Sequence, residues 1–139
     1  MKYVVLTCRI LLGLFFFAIG LMNVLHLMKA GPQPPSDATT FSTILVHSGW
    51  MTFVAVIMVI SGLLLLVGRF VPLALTLLAP VLVNILLFHI LLAGGHGIAG
   101  GLIATTLEVV LILAYWRSFL PLLAPDPKFD TTKLEPKNL

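Results

Sequence analysis

One carboxylate, Glu108, interrupts the apolar run from Ile98 to Leu120, and one guanidinium, Arg9, interrupts the run from Tyr3 to Met28. A charged side chain at the centre of a bilayer costs on the order of 3 kcal/mol on insertion scales, so each needs a partner or a use. Arg9, Gly13, Phe16, Gly20 and Asn23 recur at alternating intervals of four and three residues. That rhythm sets a charge, two small residues and an amide on one helical stripe facing the other helices. Gly97, Gly101, Ala104, Glu108 and Tyr115 share a face likewise, and the spacing of Gly97 and Gly101 permits close backbone approach within the bundle or in a homo-dimer. At about 1.5 Å per residue, Glu108 lies roughly 16 Å from the end of its helix and Arg9 roughly 10 Å from the same end of the bundle. An ion pair is within reach. It would either clamp two helices together or supply a proton-handling carboxylate and a ligand anchor.

The histidines form a second group. His26, His47, His89 and His96 all fall near one end of the expected helices, where imidazoles either hydrogen-bond to headgroups or ligate haem or a metal. Ligation needs at least two imidazoles on one face with a second shell to hold them, and no HxxxH or Cys-His spacing is present. His89 is the most embedded. Pro80 removes a backbone hydrogen bond to the carbonyl of Thr76, and Asn84, one turn later, can satisfy polar groups exposed there or reach Asn23. Asn84 and His89 are about 140° apart on an ideal helix and would share a pocket only if a kink rotates the two halves. Cys8 reads as a buried, inert thiol. The expected ligand-binding or proton-handling set is therefore Arg9, Asn23, Asn84, His89 and Glu108.

These residues need elements to hold them, and the composition specifies which kind. The chain has 139 residues, 60% hydrophobic and 9% charged, with a mean hydropathy of +1.14. A soluble domain carries about 25% charged residues, so a soluble globular fold is excluded. Strands of a membrane barrel would alternate, and runs such as Leu63 to Val67 do not. A net charge of +3 without a basic helix or ribbon points to membrane topology rather than nucleic acid. A single cysteine excludes dithiol chemistry of the CxxC type.

The expected fold is an all-α membrane protein, a bundle of four transmembrane helices at about 3–28, 50–67, 71–92 and 98–120. The first stretch is too long for a signal-peptide core and reads as a retained helix. Between the first two spans, Phe41, Ile44, Leu45 and Ser48 at helical spacing, behind Ser36 or Asp37 as a cap, predict a short interfacial helix. Gly68 closes the second span and Pro72 opens the third around Arg69, giving a tight hairpin. The glycines 94, 95 and 97 lead into the fourth span, and 124–139 reads as a flexible, charged tail. Lys2, Arg9, Arg69, Arg117, Lys128, Lys133 and Lys137 fall on one side and only Lys29 on the other, so both termini are expected in the cytoplasm.

The stretches SGLLLLVGRFVPLALTLLAP, Ser61 to Pro80, and VLVNILLFH, Val81 to His89, resemble the core signature of the DoxX-like family of small bacterial four-helix membrane proteins. RILLGLFFFAIGLMNVLHL, Arg9 to Leu27, and YWRSFLPLL, Tyr115 to Leu123, sit where that family has similar segments. Arg9, Gly13, Gly20, Gly62, Gly68, Arg69, Pro72, Pro80, Asn84, Phe88 and His89 fit the family pattern. One position departs from it: many relatives carry an acid four residues before the glycine corresponding to Gly62, and this chain has Met58. The resemblance implies a multi-pass protein of the bacterial inner membrane associated with redox systems, in which some members partner soluble oxidative-stress enzymes.

The resulting expectation is an accessory membrane subunit of a redox system, partnered with a redox enzyme and holding a quinone or other apolar ligand between its helices. The rivals are a small proton-coupled transporter or channel and a histidine-ligated haem or metal protein. An independent enzyme has the least support, because no nucleophile-base pair, cofactor loop or metal motif is present.

Overall fold

The computed structural model describes residues 1–27, 31 and 33–123; Lys29 and the expected tail 124–139 lie outside the described residues. All regular structure described is helical: α1 (Lys2–Val24), α2 (Asp37–His47), α3 (Trp50–Val67), α4 (Val71–Leu87) continued by a widened π turn (Phe88–Leu92), α5 (Ile98–Ala114) and α6 (Trp116–Phe119), which ends in a 3₁₀ turn (Leu120–Leu123). Three stretches are long and apolar enough to cross a membrane, Lys2–Val24, Trp50–Val67 and Val71–Leu92. Ile98–Ala114 with Trp116–Leu123 makes a fourth if this pair, bent by 79°, is one span.

The sequence signals for helix ends act as expected in the middle of the chain. Ser36 caps α2, accepting from the Thr39 N–H at 3.2 Å while its own N–H donates to Thr39 Oγ1 at 2.9 Å, so two otherwise orphaned donors are met. Gly68 takes the left-handed conformation at φ 77° and donates to the Leu64 carbonyl. Phe70 is also left-handed, at φ 55°, and Pro72 follows in the first turn of α4, where no amide is needed.

Three ends differ from expectation. α1 stops at Val24 rather than near residue 28, because His26 turns left-handed at φ 52° and the Leu27 N–H reaches back to the Met22 carbonyl while His26 N–H donates to Asn23. This is a Schellman stop with histidine in the place glycine usually fills. The third expected span is not α-helical to residue 92: from Phe88 the ladder widens, and the Ala93 N–H bonds the Phe88 carbonyl at 3.0 Å. The fourth breaks at Tyr115 and turns by 79°. A straight helix over 98–120 would rise about 34 Å, against about 27 Å for α3. Turning instead lays Tyr115 and Phe119 against the apolar core.

α1 packs on α3 and α5, and α4 packs on the same two helices, so the four long segments form a ring. The closest seam is α1 against α3. A Cβ on Gly62 would lie 2.6 Å from the Phe17 amide nitrogen and 2.8 Å from the Gly13 carbonyl oxygen, and one on Gly20 would lie 2.9 Å from the Ala55 carbonyl oxygen. Backbone therefore meets backbone along this seam. Gly101 faces Ile85 and Leu86 of α4, its would-be Cβ 3.2 Å from Leu86 Cδ2, so this small residue serves packing inside the bundle. Leu12, Phe16, Leu65, Leu75, Leu78 and Leu111 fill the centre.

Gly62→Ala should lower stability by about 1–3 kcal/mol, the usual cost of overpacking. Gly31→Ala is the control, since nothing lies within 4 Å of its would-be Cβ. Detergent-unfolding midpoints of the two variants measure the difference, and equal midpoints would remove the seam from its role.

Candidate functional site

Two polar systems occupy different parts of the bundle. At the end carrying the α1 start and α6, Arg9 extends along the seam and its guanidinium lies over Gly68: a Cβ there would meet Nη1 at 2.8 Å. Gly68 ends α3, where the helix dipole is negative and favours a cation. Because α5 ends at Ala114, Glu108 is about 9 Å from its helix end rather than 16 Å, close to the depth of Arg9. The expected ion pair is nevertheless not formed among the described residues. Arg9 Nε and Glu108 Oε1 are buried without hydrogen-bond partners. A long side chain able to reach the bundle's end sends its charge there, while the shorter Glu108 stays inside, 3% exposed. The wholly buried hydroxyl of Ser61 is also without a partner; sequence reasoning missed it, its only signal being a hydroxyl embedded in an apolar run.

At the opposite end lies a cavity of about 570 Å³, within the roughly 300–1,000 Å³ of small-molecule sites. α1 contributes Phe15, Ile19 and Asn23, α3 contributes Trp50, Met51, Val54 and Met58, and α5 with its N-cap residue contributes Gly97, Gly100 and Gly101. α2 covers it through Phe41, Ser42, Leu45 and Val46, with the Phe41 and Phe88 rings 6.0 Å apart. Asn84 and His89 of the α4 segment both border it. No kink is needed for that. The Phe88 N–H still bonds the Asn84 carbonyl, and the α4 residues on the wall, from Asn84 round to Leu82, span an arc of about 160° at 100° per residue. Asn84 and His89 are near its two edges.

Of the five expected site residues, the structure thus brings together Asn23, Asn84 and His89, whereas Arg9 and Glu108 do not border this cavity. Asn23 donates its amide to the Ile19 carbonyl at 2.9 Å. His89 Nδ1 lies 2.7 Å from the Ile85 carbonyl oxygen, and its ring edge approaches Gly97. His26, His47 and His96 are exposed and do not border it either. Among the described residues no three His, Cys, Asp or Glu side chains gather closely enough for one metal ion. The covering role of α2 was not foreseen: its stripe of Phe41 and Leu45 was visible, but not what it faces.

A helical protein with apolar spans, glycine-mediated seams and an apolar interhelical cavity is an integral membrane protein. The sequence profile of the DoxX family matches residues 4–90, well over half of the chain, and the protein belongs to that family. The match takes in Arg9, Asn23, Asn84 and His89 and ends before Glu108 and the Tyr115 to Leu123 segment. No curated protein and no solved structure matches the chain.

Glu108→Met keeps the volume and removes an unpartnered buried carboxyl, whose desolvation costs about 1–3 kcal/mol. The variant should be more stable than wild type by that order in detergent unfolding. A less stable variant would mean that the carboxyl has a partner essential to the bundle.

Proposed function

We propose that this DoxX-family protein is an accessory membrane subunit of a respiratory or oxidative-stress redox system and holds a quinone or other apolar ligand in the cavity beneath α2. The cavity carries this reading. Its wall is mostly aliphatic and aromatic, with four polar side chains, Asn23, Ser42, Asn84 and His89, and no formal charge at its border, which suits a largely apolar molecule with one polar end. Met58, where many relatives have an acid, is 3% exposed and adds a thioether to that wall. The redox partner is supported by the family context alone.

The same reading sets the protein in the bacterial inner membrane with four crossings and both termini cytoplasmic. Lys2, Arg9, Arg69 and Arg117 gather at the end of the bundle where α1 starts and α6 turns back, in keeping with a cytoplasmic excess of positive charge. α2 then lies at the opposite interface, its Phe41 and Leu45 toward the cavity and Ile44 exposed.

Gly100 offers a direct test, because a Cβ there would have only Phe15 Cζ nearby, at 4.0 Å. Gly100→Leu should fill the cavity without disturbing a helix seam. Mass spectrometry of small molecules and proteins copurifying in gentle detergent should find a quinone or similar apolar molecule, and a redox enzyme, with wild type. The small molecule should be depleted at least tenfold with Gly100→Leu. Equal recovery of every extracted molecule from both would rule the cavity out as its site.

The unpartnered, 3% exposed Glu108 favours a second reading, a proton-coupled transporter using this carboxyl. In proteoliposomes that reading requires solute-coupled proton flux to fall on Glu108→Gln; flux unchanged by the substitution would count against it.

A further inference from the structure

The histidine in this cavity is held in one tautomer, and that tautomer selects a ligand head. A backbone carbonyl can only accept a hydrogen bond, so the 2.7 Å contact between His89 Nδ1 and the Ile85 carbonyl puts the proton on Nδ1. In the neutral ring Nε2 is then a bare acceptor. It is turned toward α5, 3.3 Å from where a Cβ of Gly97 would stand, and makes no hydrogen bond among the described residues. Gly97 having no side chain, the corner beside Nε2 stays open. The adjoining wall is the first turn of α5, which no side chain caps.

The chemistry of that corner excludes several head groups. No Lys, Arg, Asp or Glu borders the cavity, so a carboxylate, phosphate or ammonium would enter without a counter-charge, at a desolvation cost no contact offsets. A ketone or oxidised-quinone carbonyl would set its lone pairs against the lone pair of Nε2, so of the quinone couple proposed above this corner takes the reduced, hydroxyl-bearing form. A hydroxyl donates to Nε2 and has lone pairs left for the uncapped first turn of α5.

We infer that the cavity takes an amphiphile whose head carries a hydroxyl, a phenol such as a reduced quinol or a lipid alcohol, with that hydroxyl donating to His89 Nε2. The apolar body lies among Phe15, Val54, Met58 and Leu82. The inference rests on the reading of the cavity as a site for an apolar ligand, and it narrows that class to donors.

Matched pairs of probes test it on the purified full chain in nanodiscs. An alkyl hydroquinone is compared with its dimethyl ether, and a prenyl alcohol with its methyl ether, by displacement of a fluorescent apolar probe. The hydroxyl member of at least one pair should bind at least tenfold more tightly, and which pair shows the larger ratio distinguishes a phenolic from an alcoholic ligand. His89→Phe, which keeps a ring against Phe88, should collapse that ratio to near one, and His89→Gln, which restores an acceptor, should recover part of it. The wild-type ratio alone decides the matter if His89→Phe does not fold. Equal binding within both pairs would overturn the hydroxyl assignment and leave the apolar site standing. No binding of any probe, with Gly100→Leu indistinguishable from wild type, would overturn the site itself.

Discussion

The backbone contact between α1 and α3 is the constraint from which the other features of the bundle follow. Lipid tails are as apolar as leucine, so helices in a bilayer gain little from hiding apolar side chains and associate through close packing instead. Gly13, Gly20 and Gly62 permit that packing, to the point where a Cβ on Gly62 would fall within 2.6 Å of the Phe17 amide nitrogen. α4 and α5 complete the ring by docking on the two outer sides of this pair. Their contacts are made through larger side chains, leucines above all, and tolerate more separation.

That difference in closeness explains where the open volume lies. On α1 the glycines of the seam and the residues Phe15, Ile19 and Asn23 occupy neighbouring faces, and on α3 the same holds for Gly62 and the face bearing Val54 and Met58. The cavity thus runs alongside the tight seam, walled on its far side by α4 and α5. Near Gly97, Gly100 and Gly101 the α5 wall has no side chains to fill it. The π turn that follows Leu87 widens the helix at the same level, and α2 closes the opening with Phe41 stacked toward Phe88. Glycine therefore has opposite effects at two places, bringing backbones together at Gly62 and leaving room beside His89 at Gly97.

Much of this was legible in the sequence because it depends on local chemistry. Hydropathy marks the long apolar stretches, the Gly68 to Pro72 signals give the hairpin, Ser36 gives the cap of α2, and the spacing of Gly13, Phe16 and Gly20 gives the buried face of α1. What was not legible depends on three dimensions at once. Periodicity fixes the face of Arg9 and of Glu108, but neither the depth of Glu108, which depends on where α5 ends, nor the direction of a long flexible side chain, and Arg9 extends to Gly68 instead of to the carboxyl. No proline or glycine stands at Tyr115 to announce the break there; the turn follows from how far the neighbouring helices reach and from the burial of Phe119. The cavity is assembled from α1, α2, α3, α4 and α5, so no single segment's pattern contains it, although Asn23, Asn84 and His89 were each visible as polar residues needing an explanation.

The separation of the two polar systems carries a physical consequence. Glu108 and Ser61 are buried among packed side chains, where Glu108 Oε1 and the Ser61 hydroxyl have no protein partner among the described residues and their cost must be met by the surrounding packing. Asn84 and His89 border open volume, where a bound molecule can supply what the protein does not. The first arrangement constrains the fold and the second invites a ligand. A site that keeps formal charge out of its wall, and fixes its one imidazole by a backbone carbonyl, selects by hydrogen-bond polarity rather than by charge. Such selection suits a membrane-dissolved molecule: a net-charged head would favour the aqueous interface, whereas a neutral head can follow its apolar body between the helices.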